Sequence, residues 1–148
     1  MAKQLIVVDG QIDFDTGALP NPKFHEKLGY ISNAIANAEL PVVYTEDTHD
    51  ENYLNTLEGK KLPFPHCIKG TEGHKIIPEL LNAAKKTPII VEKNTFGYTG
   101  WKEIFGTAEN IDEFVIMGTV NPICPTANAI LLRAAYPNKK ITVDYAGC

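Results

Sequence analysis

Cysteine is scarce in this 148-residue sequence: only Cys67, Cys124 and Cys148 occur. An odd number without a C-x-x-C pair excludes a disulfide scaffold and a four-cysteine zinc module. Basic charge is also short, with 14 Lys and Arg against 18 Asp and Glu and a net charge of −4. Without a domain-wide basic field, neither nucleic acid nor an anionic membrane is expected as a partner. No apolar run approaches the roughly 20 residues of a membrane span. Met1-Ala2-Lys3-Gln4 leads straight into Leu5-Ile6-Val7-Val8, without the apolar stretch and cleavage site of a secretory leader. A cytoplasmic location is therefore expected. No G-x-G-x-x-G is present, which argues against a dinucleotide site. Gly70-Thr71-Glu72-Gly73-His74-Lys75 lacks the glycine spacing and the following Ser or Thr of a phosphate loop. Repeats, low-complexity tracts and linkers are absent too.

What remains is an ordinary globular composition, 44% hydrophobic and 22% charged. Its length suits one domain, residues 1–148. Apolar runs rich in Val and Ile predict strands at Gln4–Asp9, Pro41–Thr45, Pro88–Lys93, Glu113–Gly118 and Lys140–Asp144. Most lack alternation, which suits strands buried on both faces of a parallel sheet. Between them lie helical patterns. Asn21 and Pro22 open one, with Phe24, Leu28, Ile31 and Ile35 on a single face. A second carries Ile77, Leu80, Leu81 and Ala84, with Pro78 near its start. A third runs from about Pro125 to Ala135. The alternation predicts a doubly wound, mostly parallel α/β fold, a Rossmann-like three-layer α/β/α sandwich. Asp47 to Gly73 breaks the pattern as a long loop without periodicity, and such loops are usually functional.

Ligands of an open parallel sheet bind beyond the carboxyl ends of its strands. Asp9, Asp47, His49, Lys93 and the turn Gly118–Cys124 all fall there. Cys124 is the candidate nucleophile. It opens a helix whose dipole, with Lys93, favours a thiolate. Free N–H groups of the same turn can hold an oxyanion. Asp9 can take the thiol proton. The alternative is a Cys124 that is merely a small buried apolar residue. Asp47, His49 and His66 are of metal-ligand type, with Glu58 between them as a further candidate, and suit Zn²⁺, Fe²⁺ or Mn²⁺. The alternative there is ordinary loop polarity. His25 and His74 read as surface residues, Asp13 and Asp15 as solvated loop acids. Phe14, Phe64, Phe96, Tyr98 and Trp101 fall in loops, where they can wall a flat substrate or simply pack beneath the loops.

Five blocks in order resemble the isochorismatase-like cysteine hydrolases, with the nicotinamidase (pyrazinamidase) branch the best match. They are Leu5–Phe14, Tyr44–His49 with Pro65–Thr71, Val91–Phe96, Gly118–Cys124 and Thr142–Asp144. The resemblance implies a catalytic triad of Asp9, Lys93 and Cys124. It implies one divalent metal, zinc first with iron or manganese as alternatives, on Asp47, His49 and His66, with Glu58 nearby. It also implies a cis peptide at Thr119–Val120, with the Val120 and Cys124 N–H groups forming the oxyanion hole. The expected activity is hydrolysis of nicotinamide to nicotinate and ammonia through a thioester on Cys124, a step in pyridine nucleotide salvage. Another small amide as substrate, or a non-catalytic member of the fold, are the alternatives. Thr119, Asn121-Pro122 and Pro125 depart from the family's usual turn, and Phe64 stands in for a tryptophan that relatives carry before the metal histidine. Relatives continue through another helix and a sixth strand. The expectation is therefore either a C-terminally incomplete domain or a shortened member; a chain ending at Cys148 is expected to leave one sheet face bare, and a homo-oligomer is expected to cover it.

Overall fold

A computed structural model describes residues 2–148; Met1, the first residue of the leader reading, lies outside them. Five strands form one sheet: β1 (Lys3–Val8), β2 (Val43–Asp47), β3 (Ile89–Lys93), β4 (Glu113–Gly118) and β5 (Lys140–Val143). All pairings are parallel, in the spatial order β3-β2-β1-β4-β5. Six helices surround it: α1 (Pro22–His25), α2 (Leu28–Ala36), α3 (Leu57–Lys61), α4 (Pro78–Asn82), α5 (Trp101–Phe105) and α6 (Cys124–Ala135). Among the described residues no helix is long and apolar enough to cross a membrane.

Alternate strand residues face opposite sides, and both sides of β1, β2 and β4 are packed. Among the described residues no whole face is bare, contrary to expectation; the openings are at the edges, where β5 is part-buried and Ile90 of β3 is exposed. Leu5 and Val7 join Phe24, Leu28, Ile31, Ile35 and Leu80 on one face. Ile6 and Val8 join Trp101, Phe114, Ile116, Leu132 and Tyr136 on the other. That two-sided burial is why the strands read as unbroken apolar runs.

The chain winds outward from β1 to β3, then returns to place β4 on the other side of β1. The order reverses between β1 and β4, and such a switch point opens a crevice at the carboxyl ends. Asp9 follows β1 there and the Gly118–Cys124 turn follows β4. Gly118 has φ +128, and a Cβ at this position would collide with the Val8 carbonyl oxygen. A glycine is required for the two strand ends to approach this closely.

Several boundaries differ from the sequence reading. The second strand runs two residues further, so Asp47 is its last residue and pairs in register with Lys93. The helix expected from Asn21 onward is two helices. Asn21 Oδ1 caps the first by accepting from Phe24 N–H, but Lys27 N–H bonds to Phe24 O, a tighter i to i+3 bond that interrupts the α pattern. The shared apolar face is still buried. The 47–73 segment is ordered by a 3-10 turn at Tyr53–Asn55, by α3, and by a bridge between His49 and Ile68. Thr56 caps α3 by accepting from Gly59 N–H at 3.0 Å.

Candidate active site

Asp9 leaves β1 with φ +53, and its N–H donates to the Thr45 carbonyl and hydroxyl oxygens, each at 3.1 Å. This fixes its carboxylate inside the protein, fully buried. Oδ1 accepts from the Thr45 hydroxyl at 2.7 Å, and Oδ2 accepts from Lys93 Nζ at 2.8 Å. Lys93 reaches inward from the end of β3, two strands away, and also donates to Thr95 O. Burial raises the Asp9 pKa, Lys93 opposes this, and Asp47 adds to the rise. Burial works against the Lys93 ammonium, but Asp9, Cys124 and Asp47 around it hold its pKa above that of an ordinary lysine.

Cys124 is the first residue of α6 and is 6% exposed. Lys93 favours the thiolate as expected, but two other influences oppose it. Burial, and after it the Asp9 charge, pushes the thiol pKa well up, and Lys93 offsets only part of this. Both opposing influences favour the thiol over the thiolate, and Asp9 beside it is a candidate acceptor for its proton. The Thr119–Val120 peptide is cis, matching the expectation from the resemblance, and Asn121–Pro122 is cis as well. Among the described residues neither the Val120 nor the Cys124 N–H donates a backbone hydrogen bond to its surroundings. These are two free donors flanking the thiol-bearing turn.

Asp47, His49 and His66 converge as the sequence suggested. One ligand atom from each lies within 4.8 Å of the others, and all three residues are buried. Asp47 Oδ2 is 3.0 Å from His49 Nε2 and 3.3 Å from His66 Nε2. His66 Nδ1 lies 2.7 Å from the Phe64 carbonyl oxygen. A carbonyl cannot donate, so Nδ1 carries the hydrogen and the neutral ring turns its Nε2 lone pair toward Asp47. A lone pair aimed at a carboxylate is the donor arrangement of a metal site with its outer hydrogen bond in place, so this residue set fits a divalent ion. Burial opposes ionisation of Asp47, but the adjacent His49 and His66 rings and the Lys93 charge hold its pKa well below the usual carboxylate range. Burial likewise opposes the His66 imidazolium, and Asp47 and the Phe64 carbonyl outweigh it, raising the pKa. Glu58, in the first turn of α3, lies 3.7 Å from His49 Nε2, outside the tight cluster.

A cavity of about 600 Å³ opens on the metal-ligand side, walled by His49, Tyr53, Glu58, Lys61, Asn94 and Phe96 among others. Of the five aromatic residues expected as walls, Phe96 lines it. Phe14 instead packs against His66, ring centroids 5.5 Å apart, and Phe64 is exposed away from it. Trp101 and Tyr98 belong to the hydrophobic core.

Other site residues carried no recognisable sequence signal. Tyr53 is buried edge-on to both His49 and His66, at 4.7 and 5.0 Å, and donates its hydroxyl to Leu62 O. Gln11 donates to Asp47 O and His74 O, and accepts from Asp47 N–H. Asn128 accepts from Tyr98 N–H and donates to Phe96 O and Cys124 O, tying the loop after β3 to the nucleophile turn. Asp13 is not a solvated acid, since it accepts from Cys67 N–H at 2.7 Å. Asp15 pairs with the exposed His25. His74, expected at the surface, is buried.

No curated protein matches the chain significantly. Solved structures do. The pyrazinamidase/nicotinamidase from Streptococcus mutans is 25% identical with a TM-score of 0.80, over 99% of this chain and 86% of that one. N-carbamoylsarcosine amidase from Thermoplasma acidophilum is 25% identical with a TM-score of 0.77, over 99% and 83%. A pyrazinamidase of Pyrococcus horikoshii in complex with zinc is 25% identical with a TM-score of 0.72, over 92% and 81%. The model of the Isochorismatase domain matches residues 3–135, from the first strand to the end of α6. The chain belongs to the isochorismatase domain family.

Proposed function

We propose that the protein is a metal-assisted cysteine amidohydrolase that converts nicotinamide to nicotinate and ammonia. The observation that carries this reading is Lys93 Nζ, placed 2.8 Å from Asp9 and 3.9 Å from Asp47, joining a thiol–acid pair to a His/His/Asp cluster. Similarity to nicotinamidases and to a zinc-containing pyrazinamidase supports the substrate and the metal.

Asp9 takes the proton from Cys124 Sγ as the sulfur attacks the carboxamide carbon. The Val120 and Cys124 N–H groups hold the oxygen that gains charge. Asp9 returns the proton to the departing nitrogen, the C–N bond breaks, and ammonia leaves a thioester on Cys124. Asp9 then takes a proton from water, which adds to the thioester carbon. The C–S bond breaks, nicotinate leaves, and the thiol recovers its proton. Lys93 keeps Asp9 poised by pairing with its charged form. A zinc, iron or manganese ion held by Asp47, His49 and His66, with Glu58 near it, supplies a Lewis acid for a ring nitrogen.

A second reading, hydrolysis of another small amide by the same groups, draws on the equal identity to N-carbamoylsarcosine amidase and on the polar cavity walls, Lys61 and Asn94. Ammonia release from a panel of small amides, with and without chelator and beside Cys124→Ala, tests both. Release from nicotinamide that needs Cys124 and metal supports the first. Release only from another amide selects the second. No release from folded, zinc-loaded protein overturns both.

A further inference from the structure

A second group of metal-ligating side chains lies on the other side of β2. Glu46 and Glu92 are neighbours in register on β2 and β3, one residue before Asp47 and Lys93. Consecutive strand residues point to opposite faces, so this pair faces away from the site already described. His74, which ends the 3-10 turn at Glu72–His74, completes the group. Glu46, His74 and Glu92 each offer a ligand atom within 4.8 Å of the others.

The hydrogen bonds around His74 favour one tautomer. The Thr48 hydroxyl donates its only proton to Glu46 O at 3.0 Å. Its contact with His74 Nε2 at 2.9 Å is therefore one in which the imidazole donates. The neutral ring then carries its lone pair on Nδ1. The His74 side chain is nine-tenths buried, and Nδ1 has no hydrogen-bond partner among the described residues. The carboxylate oxygen Glu46 Oε2 stands 3.9 Å from it. The Nδ1 edge of a largely buried ring and two carboxylates, adjacent in register, thus face one another. Lys69 Nζ, 3.0 Å from Glu92 Oε2, is the nearby cation, and its side chain is 64% exposed. One mobile ammonium does not neutralise two carboxylates.

We propose that Glu46, His74 and Glu92 form a second divalent-cation site. One imidazole and two carboxylates suit zinc or manganese. Glu92, 44% exposed at its side chain, opens the group to solvent, from which water can complete the coordination shell. The bound ion ties edge strand β3 to β2 and to the turn carrying His74. With one imidazole, against two in the Asp47 cluster, it binds the more weakly. It does not depend on the proposed reaction.

Zinc titration of the chelator-stripped full chain by calorimetry tests this. Two equivalents are expected, a tighter and a weaker one. Asp47→Asn loses the tighter. Glu92→Gln, a change at a half-exposed side chain that leaves the fold intact, weakens the other tenfold or more and spares the first, and Glu46→Gln does the same. His25→Ala, which removes the exposed Asp15–His25 pair, leaves both. A single equivalent that Glu92→Gln leaves unchanged overturns the proposal, whereas a single equivalent lost in Glu92→Gln and kept in Asp47→Asn upholds it and leaves the Asp47 cluster without zinc. So does a second equivalent weakened less than tenfold by Glu92→Gln, or one lost in His25→Ala.

Discussion

Lys93 Nζ and Asp47 Oδ1 lie 3.9 Å apart, while the same ammonium bonds Asp9 at 2.8 Å. One buried cation therefore balances the acid beside the thiol and the carboxylate of the proposed metal site. Neither acid has another lysine or arginine partner within 4.0 Å among the described residues.

Lys93→Met leaves two buried carboxylates without that cation. Breaking a buried pair from one side costs about 3–5 kcal/mol. Urea unfolding is expected to show a loss of this size. A loss under about 1 kcal/mol would show that water already screens the pair.

Alkylation of Cys124 reads the electrostatics directly. Burial and the Asp9 charge raise its pKa, so Asp9→Asn lowers it by removing the negative neighbour. The variant is expected to react with iodoacetamide several-fold faster at pH 8, by peptide-resolved mass spectrometry. Slower alkylation than wild type would show that Asp9 assists deprotonation more than it opposes the thiolate.

Metal removal is expected to lower thermal stability as well as activity. An ion present at about 100 times its dissociation constant stabilises by about 2.7 kcal/mol. Excess zinc should raise Tm by several degrees in the wild type. Most of that rise should vanish in a His66→Ala, Asp47→Asn double variant. An equal rise in both would place the bound zinc elsewhere.

Glu113 predicts a pH dependence remote from the site. It begins β4 between Lys3 of β1 and Lys140 of β5, and accepts from the Thr142 hydroxyl at 2.6 Å. That bond, helped by Lys140 and Lys3 against the effect of burial, lowers its pKa from the ordinary 4.5. A depressed folded pKa stabilises above the unfolded value, and the effect is lost as pH falls through the lower folded value. Tm of wild type should exceed that of Glu113→Gln at pH 6, and the gap should narrow as pH falls below 4.5. A gap constant with pH would assign the difference to packing.

Asn128→Ala is expected to cost about 2 kcal/mol or more, because it strands the Tyr98 N–H and the Cys124 and Phe96 carbonyls. Chemical denaturation measures it. A change below about 0.5 kcal/mol would mean that water replaces the amide.

The strands were legible because both sheet faces are buried, which writes unbroken Val and Ile runs into the sequence. Asp9, Lys93, Cys124, Asp47 and His49 were legible because strand ends concentrate ligand chemistry. The helices α3 and α5 were not: each is five residues long within loop sequence, whereas the equally short α4 shows because Ile77 and Ala84 extend its apolar face beyond its ends. Gln11, Thr45, Tyr53 and Asn128 were missed because a buried polar residue looks like an exposed one until its partners, 30 or more positions away for most of these bonds, are known. His74 was misjudged for that reason, and Phe64 because a loop aromatic carries no direction. The break between α1 and α2 depends on a single hydrogen bond, beneath the resolution of an amphipathic pattern.

β3 is the outermost strand on its side of the sheet and hydrogen-bonds along only one flank. Lys93 is its last residue. Fraying of that margin withdraws the ammonium from both acids while the central strands stay intact. Mild heat or denaturant is thus expected to silence the enzyme before the molecule as a whole comes apart. Amide exchange along Ile89–Lys93 would mark the onset of that silencing.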